Sequence, residues 1–162
     1  MPGYYFVTVC ANKRELLFGS VTKERIELSK FGSIVEKRWK EIPAHFPSVV
    51  LDEFVLMPNH FHGIVLLGRR GGVSPPSFDF VPTPEEGAMT APLRLAPKLG
   101  QVIAYFKYQS TRAINELRVT PGVPLWQRNY YERIIRDDQE LMDTRNYIRL
   151  NPHHWRDDEY FA

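Results

Sequence analysis

Residues 54–67 constrain the fold more than any other stretch of the chain. Phe54-Val55-Leu56 and Ile64-Val65-Leu66-Leu67 are strand-forming apolar runs, and Met57-Pro58-Asn59-His60-Phe61-His62 lies between them. Two such runs joined by a Pro-Asn bend predict an antiparallel hairpin. On a strand, successive side chains face opposite ways. His60 and His62 therefore share a face, roughly 6.5–7 Å apart along the strand, while Phe61 anchors the other face in a core. Two polar rings in an apolar sheet are costly without a task, and one shared metal ion would supply it. A lone histidine in such a run reads more simply as a hydrogen-bonded core residue, and a bare His-x-His arises often by chance. A second constellation gives the pair its weight.

That constellation is Tyr147-Ile148-Arg149-Leu150-Asn151-Pro152. Asp137 to Leu150 reads as a helix: Asp137 or Asp138 caps its start, Glu140 suits the first turn, and Leu141, Thr144 and Ile148 repeat along one face. Pro152 ends it. Tyr147 and Asn151 are four apart and stack on one helix face. Taken alone, such a pair is more simply a half-buried tyrosine followed by a C-cap asparagine.

The remaining sequence supplies the frame. Tyr4–Val9 is a strand, Val21–Leu28 extends or pairs locally, and Ser29 caps a helix through Ile42 that Pro43 stops, with Phe31, Val35, Trp39 and Ile42 on its apolar face. Ser48–Met57 and His60–Leu67 form the hairpin. Leu99–Leu117 is a second helix, and Pro124–Ile135 holds a loop and a fourth strand. The segment 68–97 is rich in proline and glycine, lacks periodicity, and is expected to be a long flexible loop. The order β-α-β-β-α-β-α predicts an α+β, ferredoxin-like split βαβ sandwich: an antiparallel sheet, helices packed on one face, and an added C-terminal tyrosine helix.

A length of 162 residues and 43% hydrophobic content suit a single domain, 1–162, with a real core. A net charge of +2 permits a nucleic-acid partner without arguing for one. The single cysteine, Cys10, excludes an internal disulfide and a cysteine-based zinc cluster, and fits a reducing cytoplasm. No apolar run approaches ~18 residues, so no membrane helix is expected, and the start of the chain lacks a signal-peptide pattern.

His60-Phe61-His62 matches the HUH signature, two histidines around a bulky apolar residue, and Tyr147 to Asn151 matches the tyrosine helix that accompanies it. With Leu51–His60, Trp126-Gln127-Arg128-Asn129-Tyr130-Tyr131, Ile135-Arg136-Asp137 and Asn146-Tyr147-Ile148 in this order, nearly the whole chain outside 68–97 resembles the single-tyrosine HUH transposases of bacterial insertion sequences. More closely, the chain looks like the REP-associated tyrosine transposase branch. The resemblance implies metal-dependent cleavage and rejoining of single-stranded or hairpin DNA through a 5′-phosphotyrosine intermediate, as in transposition or REP-element processing. It implies Tyr147 as nucleophile and His60, His62 and Asn151 as metal ligands, Asn151 standing where better-known members carry glutamine. It leaves open a homodimer and whether the tyrosine helix acts in cis or in trans.

The residue types agree with that chemistry. A free phenol with a pKa of about 10 is a weak nucleophile at neutral pH, and a cation on the phosphate compensates. Two imidazoles with oxygen donors in an open shell suit Mg2+ or Mn2+. Lys107, Arg112, Arg128, Arg133 and Arg149 are candidate phosphate contacts, with Arg136 and Arg145 beside them, although any one of them is more simply a solvated surface charge. Tyr130 and Tyr131 are rival nucleophiles, but adjacent strand residues face opposite sides and at most one can reach the site. Two other classes compete: a zinc hydrolase using His60, His62 and either His153 or His154, and a non-catalytic nucleic-acid-binding domain.

Overall fold

The computed structural model describes residues 3–68 and 96–161. Its elements run β1 (Gly3–Cys10), β2 (Gly19–Thr22), β3 (Arg25–Leu28), α1 (Lys30–Lys40), α2 (Ile42–His45), β4 (Val49–Leu56), β5 (His60–Leu67), α3 (Leu99–Arg118), β6 (Tyr131–Ile135) and α4 (Asp138–Leu150), followed by a 3-10 turn over Asn151–Asp157. The main sheet has the order β4-β5-β1-β6 with every neighbouring pair antiparallel. The β1-α1-β4-β5-α3-β6 path is the split βαβ expected from the sequence, with α4 appended. The segment expected to form a long loop, 68–97, falls almost entirely outside the described residues. No described helix is long and apolar enough to cross a membrane.

Local chemistry sets the boundaries. Ser29 Oγ accepts from Gly32 N at 3.1 Å and caps α1. The expected helix through Ile42 instead ends at Lys40, and Pro43 sits in the first turn of α2 rather than stopping α1. A proline is tolerated there because a first-turn N–H has no helical partner to lose. The local pairing expected over 21–28 is a two-stranded hairpin whose turn places Lys23 and Glu24 at positive φ, 48° and 62°, the backbone hand that two-residue hairpin turns require. In α4, Asp137 Oδ1 accepts from Glu140 N at 2.8 Å.

The sheet separates two cores. On one face, Phe61 and Val65 of β5 and Val7 and Val9 of β1 pack against α1 and α3, around Trp39, Ile103, Phe106 and Phe18. The Trp39 and Phe61 rings lie 4.4 Å apart and Phe61 is 5.3 Å from Phe106. Gly63 is required by this packing: a Cβ there would sit 2.8 Å from both the Phe61 and Trp39 rings. On the other face, Phe6, Ile64 and Ile135 form a small cluster with Leu141 and Ile148 of α4. The tyrosine helix thus covers the sheet face opposite α1 and α3.

The β4–β5 ladder carries one irregularity. Leu51 pairs with Val65, and the next partners are Phe54 and Gly63, so Asp52 and Glu53 together oppose Ile64. This is a β-bulge.

Candidate active site

The period-2 alternation of β5 sends His60, His62 and Ile64 toward α4. Cross-strand neighbours on β1 complete the floor: Cys10 opposite His60, Thr8 opposite His62 and Phe6 opposite Ile64. The His60 and His62 rings are 4.6 Å apart and both are buried.

Hydrogen bonds orient the imidazoles. Asn59 Nδ2 donates to the Tyr160 carbonyl at 2.8 Å and toward that of Arg14 at 3.4 Å. Its Oδ1 therefore faces His60 Nδ1, at 2.9 Å, and can only accept. His60 Nδ1 must carry the proton, which leaves a lone pair on Nε2. His62 Nδ1 meets Thr8 Oγ1 at 2.8 Å. Both Nε2 atoms are buried, and neither has a hydrogen-bond partner among the described residues. Burial, with His62 and Arg14 adding to it, lowers His60 to about 2, and burial lowers His62 to about 3. Both rings are neutral at physiological pH, the state a metal ligand needs.

A carboxylate faces them. Asp158 Oδ2 is 3.7 Å from His60 Nε2, beyond hydrogen-bond reach, and one ligand atom from each of His60, His62 and Asp158 lies within 4.8 Å of the others. Two neutral imidazoles and an acid converge here, and with Thr8 Oγ1 accepting from His62 Nδ1 both Nε2 atoms present lone pairs to one point, an arrangement that a cation satisfies. The donor set fits a divalent metal. Asn151, the ligand expected from the sequence, is also buried with an unpartnered Oδ1. Sequence reasoning missed Asp158, because the 3-10 turn that brings it back to β5 has no periodic signature. The signals present were a polar run, Asp157-Asp158-Glu159, following Trp155, which is buried and 5.9 Å from the His60 ring. Tyr160 covers the pair from the same segment, 4.6 Å from His60.

Tyr147 stands beside this centre. Its ring is 5.4 Å from His62 and 6.0 Å from Phe6, and 47% of the residue is exposed. Burial of the ring and then the Asp158 charge raise its phenol above the ordinary value, with the Asn151 amide partly offsetting them. A cavity of about 670 Å³ opens here, lined by His62, Tyr147, Thr8, Arg133, Tyr131 and Tyr160 among others. Of the rival tyrosines, Tyr131 reaches this cavity, 6.4 Å from Phe6. Tyr130 packs against the opposite core and donates to Glu132 Oε2 at 2.9 Å.

The other expected residues divide. Arg133 joins the cavity, donating to Thr144 Oγ1 at 3.2 Å. Lys107, Arg112 and Arg128 line a separate groove of about 730 Å³ between α3 and the loop before β6, which shares no lining residue with the first. Arg149 is paired with Glu53, and Arg145 with Asp52. The three-histidine set of a zinc hydrolase does not assemble: His153 and His154 are exposed, and His153 Nδ1 lies 2.9 Å from Glu24 Oε2.

Comparison with known proteins places this architecture. No family model matches the chain. An "uncharacterized protein" of Haemophilus influenzae is 34% identical over 166 residues, spanning 99% of this chain and 86% of that one. The solved structure of a REP-associated tyrosine transposase bound to a REP hairpin superposes with a TM-score of 0.59 at 20% identity, over 93% of this chain and 67% of that one. A "putative transposase from deinococcus radiodurans r1" superposes at 0.52 with 11% identity, over 92% and 90%. The chain belongs to one family with the Haemophilus influenzae protein, and its fold is that of the REP-associated tyrosine transposases.

Proposed function

We propose that this chain is a metal-dependent HUH-type transposase that cuts and rejoins single-stranded DNA through a 5′-phosphotyrosine intermediate. The observation that carries the reading is the half-exposed Tyr147 ring, 5.4 Å from His62, next to two buried imidazole nitrogens that have no partner among the described residues.

Tyr147 Oη attacks a phosphorus, the P–O3′ bond breaks, and the 3′ oxygen leaves as a free hydroxyl. The phosphodiester is exchanged rather than hydrolysed, so the reverse attack rejoins the strand without ATP. The phenol proton has a route to solvent, since Tyr147 borders an open cavity. His60, His62 and an oxygen donor, Asp158 or Asn151, would hold Mg2+ or Mn2+, which supplies Lewis-acid polarisation of the phosphate when bound. Asn59 and Thr8 hold the rings so that Nε2 faces the centre. Arg133 is the cation best placed for the scissile region, and Lys107, Arg112 and Arg128 would contact DNA farther away. The REP hairpin bound by the structural neighbour makes hairpin-bearing DNA the substrate class to try first. A cytoplasmic location follows from such a substrate. The protein acts as a single domain, and a homodimer is compatible with the reaction.

The test is incubation with labelled hairpin-bearing single-stranded DNA and Mn2+, followed by a denaturing gel. Wild type should form a covalent adduct that maps to Tyr147, and Tyr147→Phe should bind DNA but form none. Binding by wild type with no adduct would instead make this a nucleic-acid-binding domain, and an adduct on Tyr131 would move the nucleophile.

A further inference from the structure

The seat of α4 on the sheet is narrow. Only Leu141, Thr144 and Ile148 of the helix are buried. Apolar contacts along so thin a stripe hold the helix down but resist rotation and sliding weakly, because the hydrophobic effect is non-directional. Tyr147 lies off that stripe and half in solvent, so a small roll of α4 would swing its hydroxyl away from the histidines.

Directional contacts flank the stripe. Arg145 Nε donates to Asp52 Oδ1 at 2.8 Å and Nη2 to Oδ2 at 2.6 Å, a two-bond fork. One turn on, Arg149 Nε and Nη2 both donate to Glu53 Oε1, at 3.1 and 2.5 Å. The two acids are consecutive in sequence, and on a regular strand they would point to opposite faces. The bulge between Leu51 and Phe54 puts them together opposite Ile64 and lets both meet α4. Asp52 also stabilises the bulge itself, because its Oδ1 accepts from Glu53 N at 2.7 Å. The Arg145–Asp52 pair is the more enclosed, with side chains 27% and 16% exposed, against 54% and 34% for Arg149–Glu53. The fork geometry fixes direction as well as distance.

We propose that Asp52 and Glu53, presented together by the β4 bulge, are positioning residues for Tyr147: the Asp52 fork to Arg145 and the Glu53 contact to Arg149 set the rotation of α4 and hence the aim of the phenol. Arg145 and Arg149 are then internal clamps rather than contacts to a phosphate backbone. The proposal rests on Tyr147 being the nucleophile, so its test carries one readout that does not depend on catalysis.

The first readout is the 19F spectrum of protein labelled with 3-fluorotyrosine, with the Tyr147 resonance assigned by its loss in Tyr147→Phe. Wild type should give one narrow line at position 147. Asp52→Asn should shift or broaden it while the other tyrosines keep their positions, and Glu53→Gln should do so to a smaller degree. The second readout is single-turnover adduct formation at saturating hairpin DNA. Asp52→Asn should slow the first-order step by up to about 100-fold, the scale expected from an ångström of misplacement. The DNA dissociation constant and its salt dependence should stay unchanged, and the reversed pair, Asp52→Arg with Arg145→Asp, should recover part of the rate. An unmoved 147 resonance in Asp52→Asn overturns the proposal, as does an unchanged rate. Weaker DNA binding with a shallower salt slope in Arg145→Met, the rate at saturation being normal, would make the arginines phosphate contacts and also overturn it. If wild type forms no adduct at all, the catalytic reading fails, while the fluorine spectrum still decides whether these acids aim the ring.

Discussion

The two faces of one strand serve opposite ends. On the α1/α3 side of β5, Phe61 and Val65 enter an aromatic core around Trp39 and Phe106, with no polar side chain of β5 among them and Trp39 Nε1 as its buried atom lacking a partner among the described residues. On the α4 side, His60 and His62 leave two buried nitrogens unpartnered next to a cluster of five buried apolar residues. The difference teaches how a small protein tolerates a costly site. Each unsatisfied buried polar atom costs about 1–3 kcal/mol, and the penalty is offset by the packing of alternate residues on the same backbone. The comparison therefore predicts that adjacent positions of β5 respond to substitution in opposite ways.

The largest effect on stability is expected at Phe61. Phe61→Ala should lose about 3–5 kcal/mol in urea or thermal unfolding, because the ring is fully buried among three other aromatics. A loss below about 1 kcal/mol would mean that this face is not the structural one.

Acid should act on the other face. Unfolded imidazoles take up protons below a pH of about 6.5, whereas folded His62 and His60 resist until about 3 and about 2. The unfolded state then binds more protons, so metal-free stability should fall as pH drops from about 6.5 toward 3, with a limiting slope of about 2–3 kcal/mol per pH unit for two histidines. His62→Leu should remove about one proton's share of that slope. A wild-type slope equal to that of the variant, from denaturation curves across this range, would show that His62 is not held neutral by the fold.

Gly63→Ala should cost about 1–3 kcal/mol, since its methyl must displace the Phe61 or Trp39 ring. A neutral result would show that the aromatic packing is looser than the distances indicate. The smallest effect is expected at His62 itself. In metal-free protein near neutral pH, His62→Leu should change stability by about 1 kcal/mol or less, because removing the unpartnered Nε2 at similar volume offsets the loss of the Nδ1 contact to Thr8 Oγ1. Mn2+ should raise the melting temperature of wild type and leave that of this variant unchanged. A loss as large as that of Phe61→Ala would erase the distinction between the faces.

Much of this asymmetry was legible in the chain. The alternation His60-Phe61-His62 already sends two residue types to two sides, and Asp137, Glu140, Leu141, Thr144 and Ile148 announce α4 from its cap to its buried stripe. Partners distant in sequence were not legible. Arg145 and Arg149 read as candidate DNA contacts because local sequence cannot reveal that Asp52 and Glu53, 93 and 96 positions away, meet them. Nor does any spacing rule register a bulge, which needs one residue more on β4 than on β5. Asp158 was missed for the same reason: a 3-10 turn lacks the repeat that would aim its side chains.

The hydrogen bond from Asn59 to the Tyr160 carbonyl spans 101 positions. It bears on time rather than on energy. The hairpin that carries the histidines closes over a turn of three residues and can form early, whereas Asp158 and Tyr160 reach it only after a long loop-closure search. Folding should pass through a stage in which the sheet exists and the cluster of His60, His62 and Asp158 is incomplete. In the native state, the amides of the Asp158–Tyr160 segment should exchange with solvent well before those of β5. The residues that complete the chemistry would be the last to arrive and the first to leave.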